Sequence, residues 1–592
     1  MTATREEFRL HASDALPAQR PRSISDGYNL ASQSFCIIDY YVPYNLFFRT
    51  FASCYPTTRS YLEVLMNDLI APLLALMSVS VVGFAVISFV GPGQRPFSGK
   101  LVPLLGLVLL ATSFAALGTV ILNGAQTLAL PIQDKANLSL RLDYVSALLF
   151  VMVSFVGSIV LNYARTYLDG ESRQGPFLAW MSLTLGSVIL LVLSNSLVVL
   201  AAAWIATSLF LHKLLLFYPD RPRARRAAYK KFLFARLGDL TLIGGGTCLF
   251  ITTGTADITS INLVARTGDG SAWMTSAALL LAASAMLKSA QFPFHGWLVE
   301  VMEAPTPVSA LLHAGVINAG GFLLIRFADV FIAVPGVLVI LVLIGGFTAI
   351  FASMVMLTQP AVKTSLAWST IAQMGFMILQ CGLALFPLAL LHILAHSLYK
   401  AHAFLSSGSA VEKVAKTRRP GPIAIPDVKA ITRSFLLAIA IYVLIGAGFG
   451  FEHKSIQAIA LGAILIFGVA YLVAQGFADK APRALTTYTV IFSVGAAVSY
   501  FFLQRGIEVL VKADLPATPA PGPLEWAIII LALVSFGLTA FAQASFPLWS
   551  SHPAFAGLRV HLANGFYVNA LTDRLLASKP QSTPAIPTKA QY

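Results

Sequence analysis

The sequence predicts an all-α polytopic membrane protein of about 15 transmembrane helices, and three observations carry that prediction. Hydrophobic residues make up 57% of the 592-residue chain and charged residues 11%, where soluble domains carry about 25% charged residues. Mean hydropathy is +0.77. Apolar runs of about 20 residues, enough to cross the hydrocarbon core, recur along the chain, and the basic residues gather in the short stretches between them.

Residues 1–66 are polar at first (TREEFRLHASDALPAQRPRSISDG), then aromatic (IIDYYVPYNLFFRTF). They read as a flexible tail followed by an aromatic part that is either an interfacial segment or packed on the neighbouring helices, without the basic start, apolar core and cleavage site of a signal peptide. A transmembrane domain follows over 67–545. Its expected spans are 67–90, 101–122, 143–163, 177–194, 197–218, 232–253, 273–290, 306–327, 335–357, 363–383, 386–409, 431–449, 456–476, 484–503 and 524–545. Residues 546–592 form a C-terminal segment. Within it, SSHPAFAGLRVHLANGFYVNALTDRLL is too polar to span and reads as an amphipathic helix on the membrane surface or against a partner. SKPQSTPAIPTKAQY reads as a disordered tail.

Connections after odd-numbered spans hold eighteen lysines and arginines, with the densest run from Arg221 to Lys231, against seven after even-numbered spans. The positive-inside rule then puts the N-terminus outside and the C-terminus in the cytoplasm. The net charge of +14 therefore points to the lipid bilayer and its anionic headgroups and away from nucleic acid. Cys36, Cys54, Cys248 and Cys381 show no ligand spacing for an iron–sulfur cluster or zinc. There is no G-x-G-x-x-G and no Walker A loop. Any energy source is an ion gradient or a partner protein, with no cofactor expected in this chain.

Ionisable residues at membrane depth are the candidate site. In AASAMLKSAQFPFHGWLVEVMEAPTPVSALLHAGVINAGGF, Ala282 to Phe322, Lys288 follows more than a dozen uncharged residues. An ammonium there costs about 2.5–3.5 kcal/mol on insertion scales. Glu300 and Glu303 come next, and Pro305-Thr306-Pro307 opens the helix that carries His313. The combination suits a proton relay. The other reading is a snorkelling lysine and a histidine bonded in a helix contact.

Span eleven reads HILAHSLYKAHAFLSSGS. His392, His396 and Lys400 fall at i, i+4 and i+8, on one face within about 12 Å, while His402 points elsewhere. A relay, structural hydrogen bonding and a metal site are the three readings, and the lysine would repel a metal cation. Asp143 opens span three. Arg236 and Asp239 in span six are spaced to pair, which serves structure as readily as function. His212 and Lys213 lie in span five, with Lys213 near enough to the loop to snorkel.

LKSAQFPFHGWLVEVMEAPTPVSALLHAGVINAGGFLL resembles the signature of the antiporter-like membrane subunits of respiratory complex I and multisubunit cation/proton antiporters. VKTSLAWSTIAQMGFMIL, RLDYVSALLFVMVSFVGSIVLNYARTYLDGE and FARLGDLTLIGG are similar to further blocks of that family, and the resemblance covers roughly 140–410. It implies an antiporter-like fold of two inverted five-helix repeats with interrupted helices, and transmembrane proton movement. Lys288 then matches the central lysine of the first half-channel, and His313, His392, His396 and Lys400 the polar axis to the second.

Two departures matter. Complex I subunits carry a glutamate after the span-five tryptophan as partner of the central lysine, but Trp204 is followed by Ile205. Glu300 or Glu303 is the expected replacement. GAGFGFEHKSIQ stands where the second half-channel ends in a lysine, which aligns Lys454 with it. WIATSLFLHKLLLFYPDRPRARRAAYKKFLFARLGD and the ending LRVHLANGFYVNALTDRL resemble the divergent DabB branch. That resemblance implies a bacterial inner membrane and a role in CO2 or bicarbonate uptake. It also implies a DabA-like, zinc-containing, carbonic-anhydrase-like partner, with the zinc in that partner.

Overall fold

A computed structural model describes residues 70–90, 97–130, 138–268, 270–409, 427–451, 454–476 and 483–576. The readings of the N-terminal extension, of Arg95 and Lys135, of most of the 411–433 connection and of the final tail lie outside the described residues.

Every expected span but that over 306–327 coincides with one helix. In chain order these are α1 (Ile70–Val90), α2 (Phe97–Asn123), α3 (Tyr144–Tyr167), α4 (Gln174–Leu193), α5 (Leu197–Leu215) and α6 (Pro222–Thr253). The short α7 (Ile258–Thr267) lies outside the expected spans and precedes α8 (Ala272–Lys288). After α8 the chain is broken into short pieces: α9 (Gly296–Glu300), α10 (Thr306–Ala314), α11 (Ala319–Arg326) and α12 (Ala328–Ile332). Long helices then resume as α13 (Pro335–Met356), α14 (Val362–Gly382), α15 (Phe386–Ser406), α16 (Val428–Gly448), α17 (Ile456–Gly476), α18 (Arg483–Leu510) and α19 (Pro523–Ala544). The C-terminal segment folds as α20 (Phe546–Trp549), α21 (Ala556–Ala563) and α22 (Val568–Leu576).

Two breaks shape the centre. α8 stops at Lys288 because Ala290 takes the left-handed conformation, φ 50, and Gln291 N–H bonds back to the Met286 carbonyl at 3.0 Å. A non-glycine residue there costs about 1 kcal/mol, so surrounding packing holds the break open. The span expected over 306–327 is two half-helices, since Gly315 leaves helical geometry at φ −121, ψ −75. The backbone groups freed at such breaks are tolerated in a bilayer only where protein or a hydrated cavity surrounds them, and α10 and α11 are almost wholly buried.

Small residues bring helices together where no hydrophobic drive separates protein from lipid. A Cβ on Gly345 of α13 would stand 2.6 Å from the Leu379 nitrogen of α14, and one on Gly375 would stand 2.5 Å from that of Ala349. These two backbones touch.

A β-hairpin also has no counterpart among the expected spans. β1 (Gln126–Leu130) and β2 (Leu138–Leu142) pair antiparallel from Gln126↔Leu142 to Leu130↔Leu138. Leu140 bridges to Ser194 and Ser196 to Asp257, which ties the hairpin to the α4–α5 and α6–α7 connections. Asp143 beside it caps α3. At the other end of the helices, α22 folds back on the basic start of α6, where Asp573 pairs with Lys230 and Arg226, and α21 lies against α13, with Gln359 donating to the Ala563 carbonyl.

Candidate functional site

Helix periodicity builds the first half of the site. Trp204, Ser208 and His212 repeat every four residues on α5 and so share one face. α6 presents a stripe of Ala224, Ala227, Ala228, Lys231, Phe234, Gly238, Asp239 and Leu242 to the interior. At the end of α8 the half-buried Lys288 directs its ammonium over the buried Trp204 ring, 4.3 Å from the centroid. Asp239 and Arg236 are its electrostatic neighbours, and they pair with each other at 2.7 Å. Lys231, buried, donates to the Ser208 carbonyl and hydroxyl, both at 2.9 Å.

The expected replacement for the missing glutamate is corrected here. Glu300 accepts from Lys230 at 2.8 Å and from Asn569 at 2.7 Å, because the α8 break turns it toward α6 and the C-terminal helix. Glu303 makes no ion pair among the described residues. The carboxylate within electrostatic range of Lys288 is Asp239, from the neighbouring helix α6. Lys231 and Lys230, counted as loop residues in the charge asymmetry, belong to the buried face of α6.

A hydrogen-bonded seam leads onward. The Ser289 hydroxyl donates to the Ile317 carbonyl at 2.9 Å. Next to it, Asn318 Nδ2 donates to Ser397 Oγ at 2.9 Å, adjoining His396. Gly320 is required beside this seam, because a Cβ would fall 2.3 Å from Ser289 Oγ and 2.4 Å from the Ala285 carbonyl.

The second half gathers His313, His392, His396 and Lys400. His313 stacks on Phe404 at 4.4 Å, with Nδ1 3.0 Å from Thr370 Oγ1. The Thr370 hydroxyl donates to the Leu366 carbonyl at 3.0 Å, so it accepts from Nδ1 and leaves His313 Nε2 as the acceptor. The His392 and His396 rings lie 5.7 Å apart. Lys400, fully buried, donates to Ser369 Oγ at 2.8 Å and the Leu366 carbonyl at 3.2 Å. His313 and His396 are both within electrostatic range of Lys400. The Nε2 atoms of His313, His392 and His396 have no hydrogen-bond partner among the described residues. Imidazoles with one open nitrogen suit proton exchange through intervening water. His402 is exposed on another face of α15.

Other candidates stand apart from this axis. Asp143 joins a separate charged cluster, with Arg326 at 2.7 Å, Arg141 at 2.9 Å, and Asp514 3.5 Å from Arg141. Lys454 lies between α16 and α17, 5.0 Å from the Phe501 ring centroid and near Glu508. His212 is half-buried beside Phe232, and Lys213 is exposed, as a snorkelling lysine is. Sequence reasoning missed Lys231, Ser208, Asn318 and Ser397. Lys231 had a signal, since the α6 stripe extends back to it at spacings of three and four.

The chain is similar to known proteins in sequence and in fold. Residues 194–423 match the family described as NADH:quinone oxidoreductase/Mrp antiporter, TM, and residues 130–178 match NADH-Ubiquinone oxidoreductase (complex I), chain 5 N-terminus. The chain is 38% identical over 449 residues to the probable inorganic carbon transporter subunit DabB2 of Halothiobacillus neapolitanus, covering 74% of this chain and 80% of that one. It is 38% identical over 436 residues to the corresponding DabB subunit of Hydrogenovibrio crunogenus, with coverage of 73% and 81%. NADH-quinone oxidoreductase subunit L of Pseudomonas aeruginosa is 34% identical over 278 residues, 46% of this chain and 45% of that one. The solved Mrp complex from Dietzia has the same fold, at TM-score 0.57 and 23% identity, covering 86% of this chain and 59% of the matched one. The chain is therefore a multi-pass, antiporter-like membrane protein, and it belongs to the DabB family of inorganic carbon transporter subunits.

Proposed function

We propose that this chain is the cation-conducting membrane subunit of an energy-coupled complex for uptake of dissolved inorganic carbon, and that the cation is the proton. The observation that supports this most is the polar axis itself. It runs from Asp239 and Lys288, through Ser289 and the Asn318–Ser397 bond, to His313, His396 and Lys400. Such groups at membrane depth are costly and mark ion pathways.

Protons move down their gradient along this axis. Asp239 stabilises the charged form of Lys288 as a proton arrives, and Trp204 holds the ammonium in position by a cation–π contact. Release toward the second half is carried by the open imidazole nitrogens and ends at Lys400. The odd-numbered connections and the C-terminal segment face the cytoplasm, the N-terminus lies outside, and the membrane is a bacterial inner membrane. The partner is a zinc-containing, carbonic-anhydrase-like protein that carries any catalysis, its CO2 hydration or bicarbonate uptake driven by the proton flux. The absence of a glutamate after Trp204 weighs against a redox-driven pump of the complex I kind.

The test is growth of a carbonic-anhydrase-deficient host at ambient CO2 with the chain and its copurifying partner. A zinc protein in that partner position supports the reading. Flavin or iron–sulfur partners overturn it in favour of a pump.

A further inference from the structure

Adjacent lysines on α6 have opposite surroundings. Lys230 is clamped by two carboxylates, Glu300 and Asp573. Lys231 is 5% exposed, and among the described residues its ammonium bonds only to the Ser208 carbonyl and hydroxyl. No carboxylate lies within ion-pair distance of it among the described residues. The groups within electrostatic range of it are Arg236 and Asp239 on its own helix and Lys288 on α8. His212 on α5 faces it as well. Three cations, the buried Lys231 and the half-buried Arg236 and Lys288, thus share one carboxylate, Asp239. A proton held by one lysine opposes a proton on the other.

Geometry orders the two lysines. On α5, Ser208 meets Lys231 and Trp204 meets Lys288. These contacts are four residues apart, about 6 Å along the helix axis, and Lys231 is on the side toward the basic start of α6. A separation of that order is within reach of water-mediated hydrogen bonding.

We propose that Lys231 is a second proton-carrying lysine of the pathway, which exchanges protons between Lys288 and the basic face. In the step, an N–H bond of one lysine's ammonium breaks, an N–H bond forms on the neutral amine of the other, and the positive charge moves with the proton. Water at the basic face exchanges the proton with Lys231. This rests on the relay reading above, and Ser208 acts as a positioning residue.

The experiment measures initial proton flux in membrane vesicles from cells expressing the full chain with its native partner subunit, at matched membrane levels. Lys231→Met and Lys231→Arg are both expected to lower flux at least tenfold, and Ser208→Ala at most about threefold. Arginine keeps the charge and the bonds to Ser208 but cannot release its proton, so it separates a carrier from a tether between α5 and α6. If Lys231→Met fails to accumulate, Lys231→Arg decides. Near wild-type flux in either Lys231 variant overturns the proposal. If Lys288→Met also retains full flux, or the wild type conducts nothing, the relay reading itself has failed.

Discussion

The Lys288 ammonium lies against the face of Trp204, 4.3 Å from the ring centroid, and Asp239 of α6 supplies the nearby carboxylate. Asp239→Asn keeps the shape and removes the charge, so transport is expected to fall at least tenfold with normal membrane levels. Trp204→Leu removes only a contact of about 0.5–2 kcal/mol and is expected to cost several-fold. Growth at ambient CO2 ranks the two, and an unimpaired Asp239→Asn would remove the carboxylate from the mechanism.

The second half of the axis is expected to tolerate loss of an imidazole better than loss of the lysine. His392 is half-buried at one end of the stripe, and water can bridge a missing ring. His392→Ala is therefore expected to retain a measurable fraction of transport, while Lys400→Met, at a fully buried position, loses nearly all of it. Equal activities would remove Lys400 from the path.

Much of this was legible in the sequence, because hydropathy sets the spans and a period of four put His392, His396 and Lys400 on one stripe. The partner of Lys288 was not. Glu300 and Glu303 are nearer in sequence, but the break at Ala290 redirects the chain, and only tertiary packing brings Asp239 across from α6. The β1–β2 hairpin was missed because its five-residue strands sit between apolar runs that dominate any long window. Lys231 was hidden by its neighbours, since a run of basic residues reads as a loop until the helix is extended through it.

The Asp143–Arg326 pair is expected to govern stability. Burial alone would raise the Asp143 carboxyl, but Arg326 and Arg141 more than offset it and hold it below the ordinary carboxylate value. The pair's stabilisation is then complete above the unfolded value of about 3.9 and is lost as pH falls through the lower folded value. Arg326→Met removes one of the two guanidiniums beside this buried carboxylate, leaving it Arg141 alone, and is expected to cost up to about 3 kcal/mol. Thermal unfolding in detergent at neutral pH reads this as a lower melting temperature, and an unchanged one would contradict the assignment.

The C-terminal segment binds its own chain through Asp573 and Asn569, which leaves its outer face for a partner. Deleting 555–592 is expected to leave the subunit in the membrane and to weaken copurification of the partner. An intact complex after that deletion would exclude this docking role.

The central claim is that Lys288 takes and releases protons. Methionine matches it in length and suits packing, while arginine keeps the charge but holds its proton at any working pH. The most direct measurement is growth of the carbonic-anhydrase-deficient host at ambient CO2 with well-expressed Lys288→Met and Lys288→Arg. The account predicts that both fail. Growth with both variants would contradict it and would make the chain a scaffold that keeps the antiporter fold without conducting.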